Sequence, residues 1–167
     1  MSIELFKREA TQAYQNKQYA IAAEKYLAAA DTLESKEDAI ERAELLNNAS
    51  VSYLLANQAE KALSVVMGTS ETFAAAQDNK RCALALGNQA AALEALNRLD
   101  EALFHYEKAS EMLKSMQEQE LRSYVLKKIS AIQIQKGKQL EALGSMHAAL
   151  ENTKKLSFRE KTLKKLT

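Results

Sequence analysis

Amides and cations recur along this chain at an interval of 40 residues. One column reads Arg8, Asn48, Asn88, Lys128, and the column before it reads Lys7, Asn47, Gly87, Lys127. An apolar seam does not tolerate charged or amide groups at regular spacing without partners, so both columns predict a face turned to solvent or to a ligand. An amide offers donors and an acceptor, which suits a peptide unit that has one of each. Lys7, Arg8, Lys127 and Lys128 add cationic ends, which favour an acidic or C-terminal-carboxylate ligand. The neighbouring positions on the same face are apolar or small: Val51, Leu54, Leu55, Leu84, Ala91, Ala95, Tyr124, Ala131 and Ile134. Exposed together, they form a patch of the kind that marks an interaction surface, able to hold an amphipathic helix or an extended strand.

The inventory for catalysis is poor. His105 and His147 have no metal-ligand spacing to each other or to Cys82, and the four glycines form no phosphate loop. No nucleophile, base and orienting group converge, so no enzyme activity, metal or cofactor is expected. Cys82, alone in the chain and inside a helical run, reads as an inert half-buried thiol. The formal charge is +1 but segregated: six acids against two bases lie between Asp31 and Glu44, and six bases against Glu160 alone between Lys154 and Lys165. Opposite ends of opposite sign would make a head-to-tail contact between copies complementary, as a weak homo-oligomer screened by salt, while the basic end by itself reads as a solvated helix face. With only Phe158 among those lysines, stacking on nucleic-acid bases finds little support. No stretch is long and apolar enough to span a bilayer, and Met1 leads into charged residues rather than a signal peptide, which predicts a cytoplasmic protein.

The elements that must position these columns follow from a second set of residues in the same register. Ala22, Ala62, Ala102 and Ala142 stand 40 residues apart, as do Ala10, Ser50, Ala90, Ser130 and Ala29, Thr69, Ala109, Ala149. Small side chains let two helix backbones approach, and the larger columns Phe6, Leu46, Leu86, Leu126 and Tyr26, Val66, Tyr106, Met146 fill the remaining space. Within a repeat the apolar residues fall at three- and four-residue steps, which is helical spacing. Lys17, Asn57, Asn97 and Gly137 separate the two helical runs of each repeat, and Asn and Gly tolerate the left-handed cap, so three of the four repeats predict a C-cap there. No proline and an abundance of Ala, Leu, Glu and Lys complete an all-α composition.

The segment Asn97-Arg98-Leu99-Asp100-Glu101-Ala102-Leu103-Phe104-His105-Tyr106-Glu107-Lys108-Ala109 resembles the second helix of a tetratricopeptide (TPR) repeat. Tyr19, Ala22, Tyr26, Ala29 in the first repeat and Gly137, Glu141, Ala142, Leu143 in the fourth match the same pattern. The absent proline and the period of 40, against about 34 for most of that family, resemble its long-helix subtype. The resemblance implies a right-handed superhelical solenoid of four helical hairpins (about 1–35, 36–76, 77–116 and 117–155). It also implies a protein-protein interaction module, a scaffold or adaptor binding a partner's peptide or helix in a concave groove lined by the first helices. An assembly or secretion chaperone for one client, or a self-associating domain, is the alternative.

In that family the asparagine matching Asn48 and Asn88 often hydrogen-bonds the backbone of an extended peptide. The implied partner-binding set is Lys7, Arg8, Thr11, Asn47, Asn48, Val51, Leu55, Leu84, Asn88, Ala91, Tyr124, Lys127 and Lys128. A chaperone-docking carboxylate clamp maps only in part: Lys7 and Asn48 match, whereas Thr11 replaces an asparagine, Leu84 a lysine and Asn88 an arginine. Docking to the large heat-shock chaperones is therefore not expected.

Helices are predicted at 3–16, 19–34, 38–56, 59–76, 80–96, 99–115, 118–136 and 139–153, with a bend in the fourth at Gly68-Thr69-Ser70. The capping-box form of Ser157-Phe158-Arg159-Glu160 predicts a ninth, basic helix over 156–167, whose Leu163 and Leu166 would cap the array. That helical pattern is still running at Thr167, which reads as a piece of a longer protein.

Overall fold

The computed structural model describes residues 2–35 and 37–163, with side chains through Thr153. Every regular element among the described residues is helical: α1 (Ile3–Gln15), α2 (Tyr19–Ala30), α3 (Ala39–Leu55), α4 (Ala59–Val66), α5 (Thr69–Ala75), α6 (Asn79–Ala95), α7 (Leu99–Ser115), α8 (Gln119–Gln135) and α9 (Gln139–Leu163). None of these helices is long and apolar enough to cross a membrane.

The turns repeat at half the expected interval. Lys17, Asn57, Gln77, Asn97, Gln117 and Gly137 all take positive φ, between 57° and 72°. At each, the left-handed residue's N–H donates to the carbonyl three positions back and the next N–H to the carbonyl five back, as in Lys17 to Tyr14 (3.0 Å) and Gln18 to Ala13 (2.8 Å). This is the Schellman stop. The carbonyl of the residue after it then accepts the first bond of the following helix, as Gln18 does from Ala22 at 2.9 Å. The link between helices is thus almost as short as the backbone permits. Lys17, omitted from the predicted caps, adopts the same conformation as Asn57 and Asn97. Between α2 and α3 the pattern gives way to a longer connection, residues 31–38, so α2 ends four residues earlier than its apolar spacing predicts.

By compactness the chain divides into two units, Met1–Ala102 and Leu103–Thr167. In the first, α1 packs on α2, α2 on α3, and α3 on α4, α5 and α6. Ala10, Ala22, Ser50, Ala62, Ala90 and Ala102 are fully buried, as their small size requires. Ala23, Tyr53, Ala62 and Ala92 form one core cluster with Leu54, Leu63 and Val65 against it; Ala29, Ala30 and Leu45 form another with Phe6 and Tyr26. In the second unit α8 packs on α9, burying Leu126, Ile129, Ile132, Ala142 and Ala149. The two serines of the small column do more than save space. Ser50 Oγ donates to the Ala62 carbonyl and Ser130 Oγ to that of Ala142, both at 2.9 Å, so each pins its first helix to the alanine of its second.

Two expectations are corrected. The second helix of the second hairpin does not bend but breaks: Met67 is extended (φ −59°, ψ 133°) and Gly68 left-handed (φ 82°). A Cβ at Gly68 would meet no atom within 4 Å, so it is the backbone conformation that calls for glycine. Thr69 Oγ1 donates to the Val66 carbonyl at 2.8 Å, satisfying a group the break exposes, and Thr72 Oγ1 joins its own N–H on the Gly68 carbonyl at 3.0 Å. At the other end, no new helix begins at Ser157, because α9 continues unbroken to Leu163. A carboxyl-terminal run without proline or glycine offers nothing to stop it. The side chain of Leu163, and Leu166 altogether, lie outside the described residues.

Candidate functional site

In the first unit a cleft of about 450 Å³ opens between the first helices. Lys7 and Thr11 of α1 line it from one side, one helical turn apart. Ile40, Glu41, Glu44 and Asn48 of α3 line it at helical steps from the other, with Tyr26 of α2 and Arg81 of α6 completing it. Thr11 Oγ1 donates to the Lys7 carbonyl at 2.9 Å and lies 3.5 Å from Tyr26 Oη. Asn48 is exposed at the cleft wall.

Both cations of this cleft, Lys7 and Arg81, are already paired. Lys7 Nζ donates to Glu41 at 2.9 Å and to Glu4 at 3.2 Å. The Glu41 hydrogen bond, then that of Glu4, raises its pKa above the ordinary lysine value. Arg81 Nη1 donates to Glu44 at 2.9 Å, its Nε donates to Asp78 at 2.6 Å, and its guanidinium lies 5.4 Å from the Phe73 ring centre. Asp78 also accepts the Arg81 backbone N–H at 2.9 Å as the N-cap of α6. That backbone bond, followed by the guanidinium, holds its carboxyl below the usual aspartate value.

The two amide columns separate into different roles. Asn47 is buried, with Nδ2 donating to the Ala43 carbonyl at 2.9 Å and Oδ1 accepting from Asn88 Nδ2 at 3.0 Å. The expectation that its column faces solvent or ligand therefore fails at Asn47: the partner that makes burial tolerable is Asn88. The pair forms a rung between α3 and α6, leaving Asn88 half-buried and partly committed, while Asn48 one residue on is exposed.

Of the other expected residues in this unit, Leu55 and Leu84 are exposed, Val51 and Ala91 are half-buried, and Arg8 stands exposed beside Lys7 on a second cleft of α1 with Gln12 and Gln15. In the second unit, α8 carries Tyr124, which is 60% exposed, together with exposed Lys127, Ala131 and Ile134 and half-buried Lys128. Among the described residues no group of His, Cys, Asp and Glu is arranged to hold a metal ion. Cys82 is buried rather than half-buried.

Sequence reasoning did not find the acids Glu37, Glu41 and Glu44 as cleft residues, although their i, i+4 and i+3 spacing toward Asn48 was open to reading. It also missed a cleft of about 670 Å³ bounded by the 31–38 connection and the α4–α5 break, lined by Arg42, Leu46, Met67 and Gly68. The irregular Gly68-Thr69-Ser70 was the signal for that one.

No protein-family model matches the chain, and no curated protein matches it. Solved structures do match. The apo form of RapI superposes with a TM-score of 0.84 at 16% identity, over 97% of this chain and 59% of that one. A Rap protein complexed with competence and sporulation factor gives 0.75 at 19% identity, over 92% and 43%. A putative kinesin light chain of Podosopora anserina with nearly identical TPR-like repeats gives 0.75 at 16% identity, over 92% and 75%. The chain thus spans little more than half the length of RapI. The fold is that of the TPR-like helical repeat proteins.

Proposed function

We propose that the chain is a protein-interaction module that holds a peptide or helix of a partner protein along its first helices. The observation that carries this reading is the cleft at Asn48. There an exposed amide and the Thr11 and Tyr26 hydroxyls stand beside ion pairs that fix the walls, with exposed Leu55 and Leu84 continuing the same helix faces. A Rap protein of this fold is complexed with competence and sporulation factor, which supports ligand binding by such a scaffold. The acidic-ligand reading is weakened in this unit. Lys7 and Arg81 are each held by carboxylates, and Glu37, Glu41 and Glu44 outnumber them in the cleft, which favours a ligand with a basic or neutral group at that point.

Selection of binding peptides from a displayed library tests the reading. Asn48→Ala is expected to weaken the selected peptides about 2- to 12-fold, the value of one net hydrogen bond, with thermal stability unchanged. Asn47→Ala is expected to lower stability by about 1–2 kcal/mol by emptying a buried amide site. Peptides that bind Asn48→Ala and Leu84→Glu as tightly as wild type would place the binding surface elsewhere.

A further inference from the structure

In the first unit α3 and α6 lie side by side and run in the same direction, tied by Arg81 to Glu44 and, further along both helices, by Asn88 to Asn47. On α3, positions 41, 44, 48, 51 and 55 follow steps of 3 and 4 residues and so form one stripe. Its chemistry is graded: Glu41 and Glu44 come first, then Asn48, then half-buried Val51 and Leu55, which is 45% exposed. The matching stripe of α6 begins at Arg81 and Leu84, passes Asn88 and ends at Ala91 and exposed Ala95. Both stripes thus run from a charged end, past an amide, to an end that is apolar or small.

The charged end is more acidic than its own cations neutralise. Lys7 is shared by Glu41 and Glu4, and Arg81 by Glu44 and Asp78. Glu37, also exposed in the cleft lining, makes no ion pair or hydrogen bond among the described residues. Five carboxylates therefore stand against two cations. An acidic ligand would meet those carboxylates, and Lys7 and Arg81 would each have to leave two partners to reach it. Ile40, 37% exposed within the same cleft, offers aliphatic surface along which a long basic side chain can lay its stem.

We infer, resting on the proposed binding along the first helices, that the partner segment is an extended peptide of fixed polarity. A lysine or arginine of the peptide pairs with Glu37 and with the shared carboxylates of Glu41 and Glu44, and an apolar side chain lies at Leu55 and Ala95. Between them Asn48 holds the peptide backbone. From Glu44 to Leu55 the helix advances about 16 Å, which an extended chain covers in about five residues. Side chains of an extended chain alternate in direction, so the basic and apolar residues stand about four or six positions apart, on the same side.

Selection from a displayed random-peptide library, followed by fluorescence polarisation of synthetic copies of the recovered peptides, tests this. Recovered sequences are expected to carry lysine or arginine at that spacing from an apolar residue. Replacing the basic residue by glutamine is expected to weaken binding about two- to fivefold, the value of an exposed ion pair. Glu37→Lys, at an exposed and unpaired position, is expected to weaken the basic peptide by at least as much and to bind better the peptide with glutamate in place of its basic residue. Lys7→Gln frees Glu41 and is expected to tighten the basic peptide, the opposite of its effect on an acidic ligand. Peptides that lose affinity with Asn48→Ala but carry no basic residue, or that bind Glu37→Lys as tightly as wild type, would overturn this inference and leave the groove reading standing. Recovery of no peptide, or of peptides indifferent to Asn48→Ala and Leu84→Glu, would overturn both.

Discussion

Asp78 shows how one side chain can do two jobs on a single neighbour. It caps α6 through the Arg81 backbone N–H, pairs with the Arg81 guanidinium, and so holds the arginine whose other arm reaches Glu44 on α3. Its folded pKa is depressed, so its contribution is present above the unfolded value of about 3.9 and is lost as the pH falls through the folded value. Asp78→Ala is expected to lower stability at pH 7 by about 1 kcal/mol, the usual value of an N-cap. Asp78→Asn retains an acceptor for the cap and gives up only the ion pair, which at this exposure contributes about 0–1 kcal/mol. Denaturant titrations from pH 2.5 to 7 should therefore find Asp78→Asn close to wild type at neutral pH but flatter below pH 4. An unaltered acid profile in Asp78→Asn would mean that the aspartate's charge does not contribute.

At the scale of elements, much of the fold was legible in the sequence because packing leaves a periodic trace. The alanines at 22, 62, 102 and 142 could be no larger, and their burial in the structure gives the reason. The turns were half legible. Asn57, Asn97 and Gly137 signal a left-handed cap, but Lys17, Gln77 and Gln117 occupy the same conformation with side chains that do not favour it. There the hydrogen bonds of the Schellman stop and the packing on either side outweigh the local preference. Gln77→Gly and Gln117→Gly are accordingly expected to stabilise by about 1 kcal/mol each, about 2–4 °C in melting temperature for a chain of this size. Gly137→Ala should shift it by a similar amount downward. Scanning calorimetry of the three variants checks both signs; a lower melting point in Gln77→Gly would show that the glutamine side chain contributes more than its backbone strain removes. The candidate site was less legible, because the difference between Asn47 and Asn48 depends on where Asn88 lies across the α3–α6 contact, a distance that no spacing within one helix reports.

For the whole molecule, the consequence of repetition is that stability is distributed among neighbours rather than gathered in one core. In a repeat array each hairpin contributes its own folding term and the interfaces to those beside it, so damage in one hairpin is felt most by the helices that touch it. Ala62 lies in the cluster with Ala23, Tyr53 and Ala92, and its carbonyl receives Ser50. Ala62→Arg puts a long charged side chain into a contact that accommodates a methyl group, an overpacking and desolvation cost well above about 3 kcal/mol. Hydrogen exchange resolved by residue is expected to show protection collapsing across α3, α4, α5 and α6, while the α8 and α9 amides, whose packing on each other rests on Ile129, Ile132, Ala142 and Ala149, keep most of theirs. Loss of protection uniform over both units would show instead that the chain folds as a single cooperative block. In that case the division at Ala102 would describe compactness and not stability.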